Sequence, residues 1–151
     1  MEQDPTTMGF VPFTLDLDSY KKIGGTGVLG LEFASGYWNM SSFPDDCLIL
    51  LASDSEKRLN SIITYVGIPV KESYDHTIKL SKDLFITDRE RTICDMIEYG
   101  CELRFLLESI QSYYEDFDDK SKLEDLVKER GLLDKFNKYK EEAEDMYYDD
   151  I

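Results

Sequence analysis

Leu84-Phe85-Ile86-Thr87-Asp88-Arg89-Glu90-Arg91-Thr92-Ile93-Cys94-Asp95-Met96-Ile97 is where the chain turns from strand grammar to helix grammar. Residues 84–86 are a short extended run. Thr87-Asp88-Arg89-Glu90 then has the form of a capping box, in which the Thr87 hydroxyl takes the amide of Glu90 and the Glu90 carboxylate returns to the amide of Thr87. A helix is predicted from there to about Tyr99, and Gly100 ends it.

Toward the C-terminus, Leu103, Leu106, Leu107, Ile110 and Tyr113 recur at spacings of three and four, which predicts a second helix. The acidic segment 115–119 links it to a third. Ser121-Lys122-Leu123-Glu124 again reads as a capping box, Leu123, Leu126 and Val127 form a buried stripe, and Gly131 sits at the helix end. A last helix carries Leu132, Phe136, Tyr139, Ala143, Met146 and Tyr147 on one side.

Toward the N-terminus the signals are shorter. Residues 68–74, 77–80 and 84–86 read as three extended pieces of a meander, with a polar turn at Asp75-His76. Residues 47–52 are a continuous apolar run, expected as a buried strand in the middle of a sheet. Residues 55–66 fit either a helix bearing Leu59, Ile62 and Ile63 or, over 62–66, a strand rich in β-branched and aromatic side chains. Thr26 is expected to cap a helix over 27–39, and residues 1–23 read as an extended arm. The predicted class is α+β: a small mixed sheet over about 26–86, packed against a bundle of about four helices over about 87–148.

A chain of 151 residues suits one domain with a real core. Its net charge of −15 disfavours a nonspecific grip on nucleic acid or an anionic membrane. Residues 1–5 are polar where a signal peptide would be basic and then apolar, and no apolar run approaches the roughly 20 residues that span a bilayer. A cytoplasmic location follows as the expectation. Cys47, Cys94 and Cys101 lack CxxC spacing, so they read as reduced, mostly buried thiols.

Residues 25–30 match GxGxxG. A dinucleotide-binding turn follows a buried strand, however, and here the preceding residues are Asp18-Ser19-Tyr20-Lys21-Lys22. His76 stands alone in a turn, without the second ligand a metal site requires. The carboxylates show no pair in separate environments, as acid and base would need. No catalytic, cofactor-binding or metal-binding residue is therefore assigned, and a noncatalytic protein is expected. Residues 115–151 carry 14 acids against seven bases, together with Tyr139, Tyr147 and Tyr148, and Tyr113 and Tyr114 directly precede them. An acidic face bearing tyrosines suits docking onto a basic protein, because tyrosine supplies contact area at low entropic cost and charge speeds encounter.

The stretch 84–97, with Glu90-Arg91-Thr92-x-x-Asp95 at the start of a helix after a short strand, resembles the C-terminal domain of the AbiEi family, antitoxins of type IV abortive-infection systems. The strand over 47–52, the segment 67–70 and the closing helices fall in that family's order, so the resemblance spans about residues 26–147. It implies neutralisation of a nucleotidyltransferase-like toxin, in phage defence, by direct contact or by an indirect effect. Such antitoxins join this domain to an N-terminal winged helix that binds their own promoter. Only 23 residues precede Gly24, so the neutralising role over 24–151 carries over and direct DNA binding does not. A monomer or weak dimer is expected. The alternatives are an effector or oligomerisation domain of a transcriptional regulator and, third, a degenerate nucleotide-processing enzyme.

Overall fold

The computed structural model describes residues 16–52, 64–67 and 74–149. Among them the chain is α+β, with one mixed sheet in the N-terminal half and a helical C-terminal half. The middle strand is β1 (Gly27–Leu29). It runs antiparallel to β2 (Ile49–Ala52) and parallel to a later strand, β5 (Leu84–Thr87). Outside β2 lies the parallel strand β3 (Thr64–Gly67), and outside β5 the antiparallel strand β4 (Thr77–Ser81). The order across the sheet is β3-β2-β1-β5-β4.

The parallel register sets Leu29 beside Ile86 and Gly27 beside Leu84, so these side chains share one face. Leu29, Leu84 and Ile86 are fully buried there, in one cluster with Phe33 and Ala34 of α2 (Leu31–Tyr37) and Ile93 and Met96 of α3 (Arg89–Tyr99). Behind α3 stand α4 (Leu103–Asp116), α5 (Ser121–Glu129) and α6 (Leu133–Asp149). The last two helices return onto their own domain. α5 packs on α3, and α6 packs on α4. Leu123, Val127, Phe136 and Ala143 enter the same core as the sheet.

Four sequence expectations hold in outline. The apolar run over 47–52 yields an interior strand, residues 77–80 and 84–86 yield the β4–β5 hairpin, Gly100 ends α3 at φ +98°, and Gly131 follows α5 at φ +70°. Residues 64–67 resolve the end of the ambiguous segment as strand, while 55–63 and the extended piece over 68–73 lie outside the described residues.

Others are corrected. Residues 27–39 are not one helix: Gly27 to Leu29 is the central strand, paired antiparallel with β2 on one edge and parallel with β5 on the other. Thr26 caps nothing; its carbonyl accepts the Tyr20 hydroxyl at 2.8 Å. α2 starts only after Gly30, where a Cβ would come within 2.8 Å of Leu51 Cδ1. The N-terminal arm is not wholly extended either, since Asp16 caps a short helix, α1 (Leu17–Lys22), by accepting the Ser19 amide at 2.8 Å. Residues 1–15 lie outside the described residues. Cys47 is exposed rather than packed, because the strand begins two residues after it.

Both capping boxes are displaced. α3 is capped by Asp88, because Thr87 is held in β5 and its hydroxyl meets Thr92 instead. α5 starts at Ser121 itself, whose amide and hydroxyl both donate to Asp119, at 2.9 and 2.7 Å.

Candidate interaction site at the entry to α3

A single residue, Asp88, joins β5 to α3, and this tight connection brings the segment 87–95 into the interior. The Asp88 carboxylate accepts the Arg91 amide at 2.8 Å. Its own amide donates to the His76 carbonyl at 2.8 Å, and His76 Nδ1 stands 3.5 Å from Asp88 Oδ2. The turn before β4 is thereby tied to the first turn of α3. The Thr92 hydroxyl donates to the Asp88 carbonyl at 2.6 Å; a hydroxyl has one hydrogen, so Thr87 is the donor in the 2.6 Å contact between Thr87 and Thr92.

Glu90 turns inward. Its Oε2 accepts the Tyr113 hydroxyl at 2.6 Å, and Lys122 Nζ lies 3.8 Å from Oε1. Arg91 donates from Nε to Asp95 Oδ2 at 3.1 Å and from Nη1 to the Asp75 carbonyl at 2.9 Å. The other Asp95 oxygen receives Arg130 Nη1 at 2.8 Å, and Arg130 Nη2 reaches Glu98 at 2.7 Å. Glu90, Arg91, Thr92 and Asp95 are all buried, Asp95 to 1 % exposure. An ion this deep is tolerated only when both its charge and its lone pairs are met, as the two guanidiniums do for Asp95.

Burial shapes the titration of these groups. It pushes the Asp95 carboxyl above its ordinary value, against the pull of Arg91 and Arg130. It raises Asp88 too, with the Arg91 amide opposing. Tyr113 is raised by burial and by its bond to Glu90, so it stays a protonated donor.

Asp75, Arg91 and Asp95 line a cleft of about 410 Å³ together with His76, Glu98, Tyr99, Glu129 and Arg130. Its guanidinium donors point into the protein, toward carboxylates and a carbonyl, so its chemistry is that of a clamp joining α3, α5 and the turn at 75–76. Of the sequence signature, Arg91 and Asp95 meet each other, whereas Glu90 turns to Tyr113 and Lys122 and Thr92 to Thr87 and Asp88; all four are buried. Sequence reasoning missed Arg130: a basic residue at a helix end is ordinarily a partner of the helix dipole, and nothing local points it at Asp95.

The tyrosines divide. Tyr113 is 1 % exposed and bonded to Glu90, so it is withdrawn from the docking face. Tyr114 is half-buried; it donates to Glu124 at 2.7 Å and has the ammonium groups of Lys120 and Lys140 over its ring. It lines a groove of about 340 Å³ between α4 and α6. Tyr139 is half-buried against the core, and the side chains of Tyr147 and Tyr148 lie outside the described residues.

The glycine motif over 25–30 contains strand β1 itself rather than a turn following a strand. Among the described residues no three His, Cys, Asp or Glu side chains are grouped to hold a metal ion, and no helix is long and apolar enough to cross a membrane. No protein-family model matches the chain, and no curated protein matches it at a significant level.

Proposed function

We propose that this chain is the antitoxin component of a type IV abortive-infection system, acting in the cytoplasm as a noncatalytic opponent of a nucleotidyltransferase-like toxin. One observation carries the reading: Glu90, Arg91, Thr92 and Asp95, the residues on which the AbiEi resemblance rests, are all buried at the entry to α3, where Glu90 holds Tyr113 of α4, Thr92 holds the Asp88 carbonyl, and Arg91 with Asp95 ties the turn at 75–76 to Arg130. The net charge of −15 supports action through a protein partner rather than through DNA.

Co-expression with the candidate toxin should suppress the growth arrest it causes. Arg91→Ala should lower thermal stability and rescue together, because Asp95 would lose one of its two cationic partners. Breaking a buried pair costs about 3–5 kcal/mol. Lost rescue at unchanged stability would instead make Arg91 a contact. In a mobility-shift assay on the promoter of its own operon, the chain should give no specific complex at physiological salt; a competed shift that survives moderate salt would restore the regulator reading.

A further inference from the structure

Arg89 is set apart from the other described arginines. Arg91 and Arg130 are paired with Asp95, and Arg104 lies 3.7 Å from Glu102, whereas among the described residues Arg89 has no carboxylate partner. Its guanidinium instead lies over the Trp38 ring, 4.6 Å from the centroid, and over Phe117, at 5.3 Å. Tyr37 meets Trp38 edge-on at 4.9 Å and is 38 % exposed. The Trp38 indole is itself anchored, donating to the Thr87 carbonyl at 2.8 Å. Helix stability does not explain the placement, since Arg89 is the first residue of α3, the end at which a cation is disfavoured by the helix dipole.

Arg89 is half-buried between Trp38 and Phe117, which pack against the core, and its N–H fork, the geometry that takes a carboxylate in two parallel hydrogen bonds, is claimed by no carboxylate among the described residues. Trp, Tyr and Arg are also the residues that most often carry binding energy at protein interfaces. The charge of the remainder selects the partner. A chain of −15 repels a polyanion but attracts a basic protein, and an unpaired guanidinium on it calls for one acidic side chain within that basic surface.

We infer that Tyr37, Trp38, Arg89 and Phe117 form a docking anchor for a basic protein that presents a single carboxylate to Arg89. This deepens the antitoxin reading and rests on it only for the partner's identity, the toxin.

Trp38 is the single tryptophan, so its emission reports the site directly. The full chain is titrated with a short, amidated, lysine-rich peptide carrying one glutamate among apolar residues, and with the same peptide carrying glutamine there. The glutamate peptide should bind roughly tenfold more tightly, with a saturable change in Trp38 emission. Arg89→Gln should abolish that preference, and Arg89→Lys, which keeps the charge but loses the fork, should retain only part of it. If Arg89→Gln lacks a cooperative thermal transition, the Arg89→Lys comparison decides, and an undiminished preference there overturns the inference. Equal affinity of the wild-type chain for the two peptides overturns it as well. So does a single-stranded oligonucleotide that binds at Trp38 more tightly than the glutamate peptide. Peptide preference without toxin rescue faults the antitoxin reading alone; rescue without peptide preference faults the anchor alone.

Discussion

Cys47, Cys94 and Cys101 occupy three environments, and their reactivity should follow. Burial pushes the Cys94 and Cys101 thiols up to about 12, so both are protonated at neutral pH, and Cys94 is also inaccessible. Cys47 is raised as well, by burial and by Asp46, but it is exposed. Under native conditions at mildly alkaline pH, iodoacetamide followed by peptide mapping should find Cys47 labelled first and Cys94 labelled only on unfolding; early labelling of Cys94 would mean that the α3 core opens readily. Asp88 offers a second test at this scale. Its native pKa is raised, chiefly by burial, so the native state takes up a proton before the unfolded chain does. Its contribution therefore favours folding as pH falls through the raised native value toward the ordinary one, and is lost as pH rises again. Asp88→Asn keeps a capping acceptor without the titration. Wild type should accordingly gain stability relative to Asp88→Asn over that window in urea unfolding, whereas parallel pH profiles would show that burial does not govern Asp88. Asp88→Ala, which removes the cap altogether, should cost about 0.5–2 kcal/mol at neutral pH.

At the scale of elements, Tyr113 and Glu90 lock α4 to the first turn of α3 through a buried 2.6 Å bond. Tyr113→Phe keeps the ring and leaves the Glu90 carboxylate short of a donor, so a loss of about 1–3 kcal/mol is expected in thermal or urea unfolding, with helix content unchanged. A neutral outcome would show that Lys122 satisfies Glu90 unaided. The same pair explains what a linear reading could see. The helices α4 to α6 were legible because each carries an apolar stripe at spacings of three and four, a local signal that tertiary packing then used unchanged, and α3 because capping chemistry precedes it and Gly100 ends it. Asp88 and Glu90 were not assigned correctly, because Thr87-x-x-Glu90 is a sound local capping pattern overridden when β5 claimed Thr87 and Tyr113 claimed Glu90. β1 was missed for a related reason. Three residues, the first a glycine and the next after them another, carry almost no periodicity, and only the paired strands β2 and β5, distant in sequence, make Gly27–Leu29 a strand. The signature residues could be picked out in the sequence, yet their meeting with Arg130, and the stacking of Arg89 on Trp38, depend on how α5 and α2 come to rest on α3.

For the whole molecule, the decisive question is whether the last two helices are part of the fold or an attached arm. Leu123, Leu126, Val127, Leu132, Phe136 and Ala143 all belong to the buried cluster that includes Leu29, Leu84 and Ile86. Arg130, between the two helices, supplies the second cationic partner of Asp95. Truncation after Asp119 therefore removes apolar side chains worth roughly 1.5–3 kcal/mol each for the larger ones and strips half the pairing from a carboxylate that is 1 % exposed. A typical domain has only about 5–15 kcal/mol of stability in total, so the loss exceeds what the remaining core can absorb. The truncated chain should be aggregated or unfolded, with no cooperative thermal transition by circular dichroism and no monomer peak in size-exclusion chromatography. A truncated chain that stayed monomeric and melted cooperatively would show that the sheet with α3 and α4 folds alone, leaving the acidic helices free to act as a separate binding arm. In that event the half-buried Tyr114 and Tyr139 would be uncovered or released, and the tyrosine-bearing acidic face would displace the Arg89 anchor as the surface to test against the toxin.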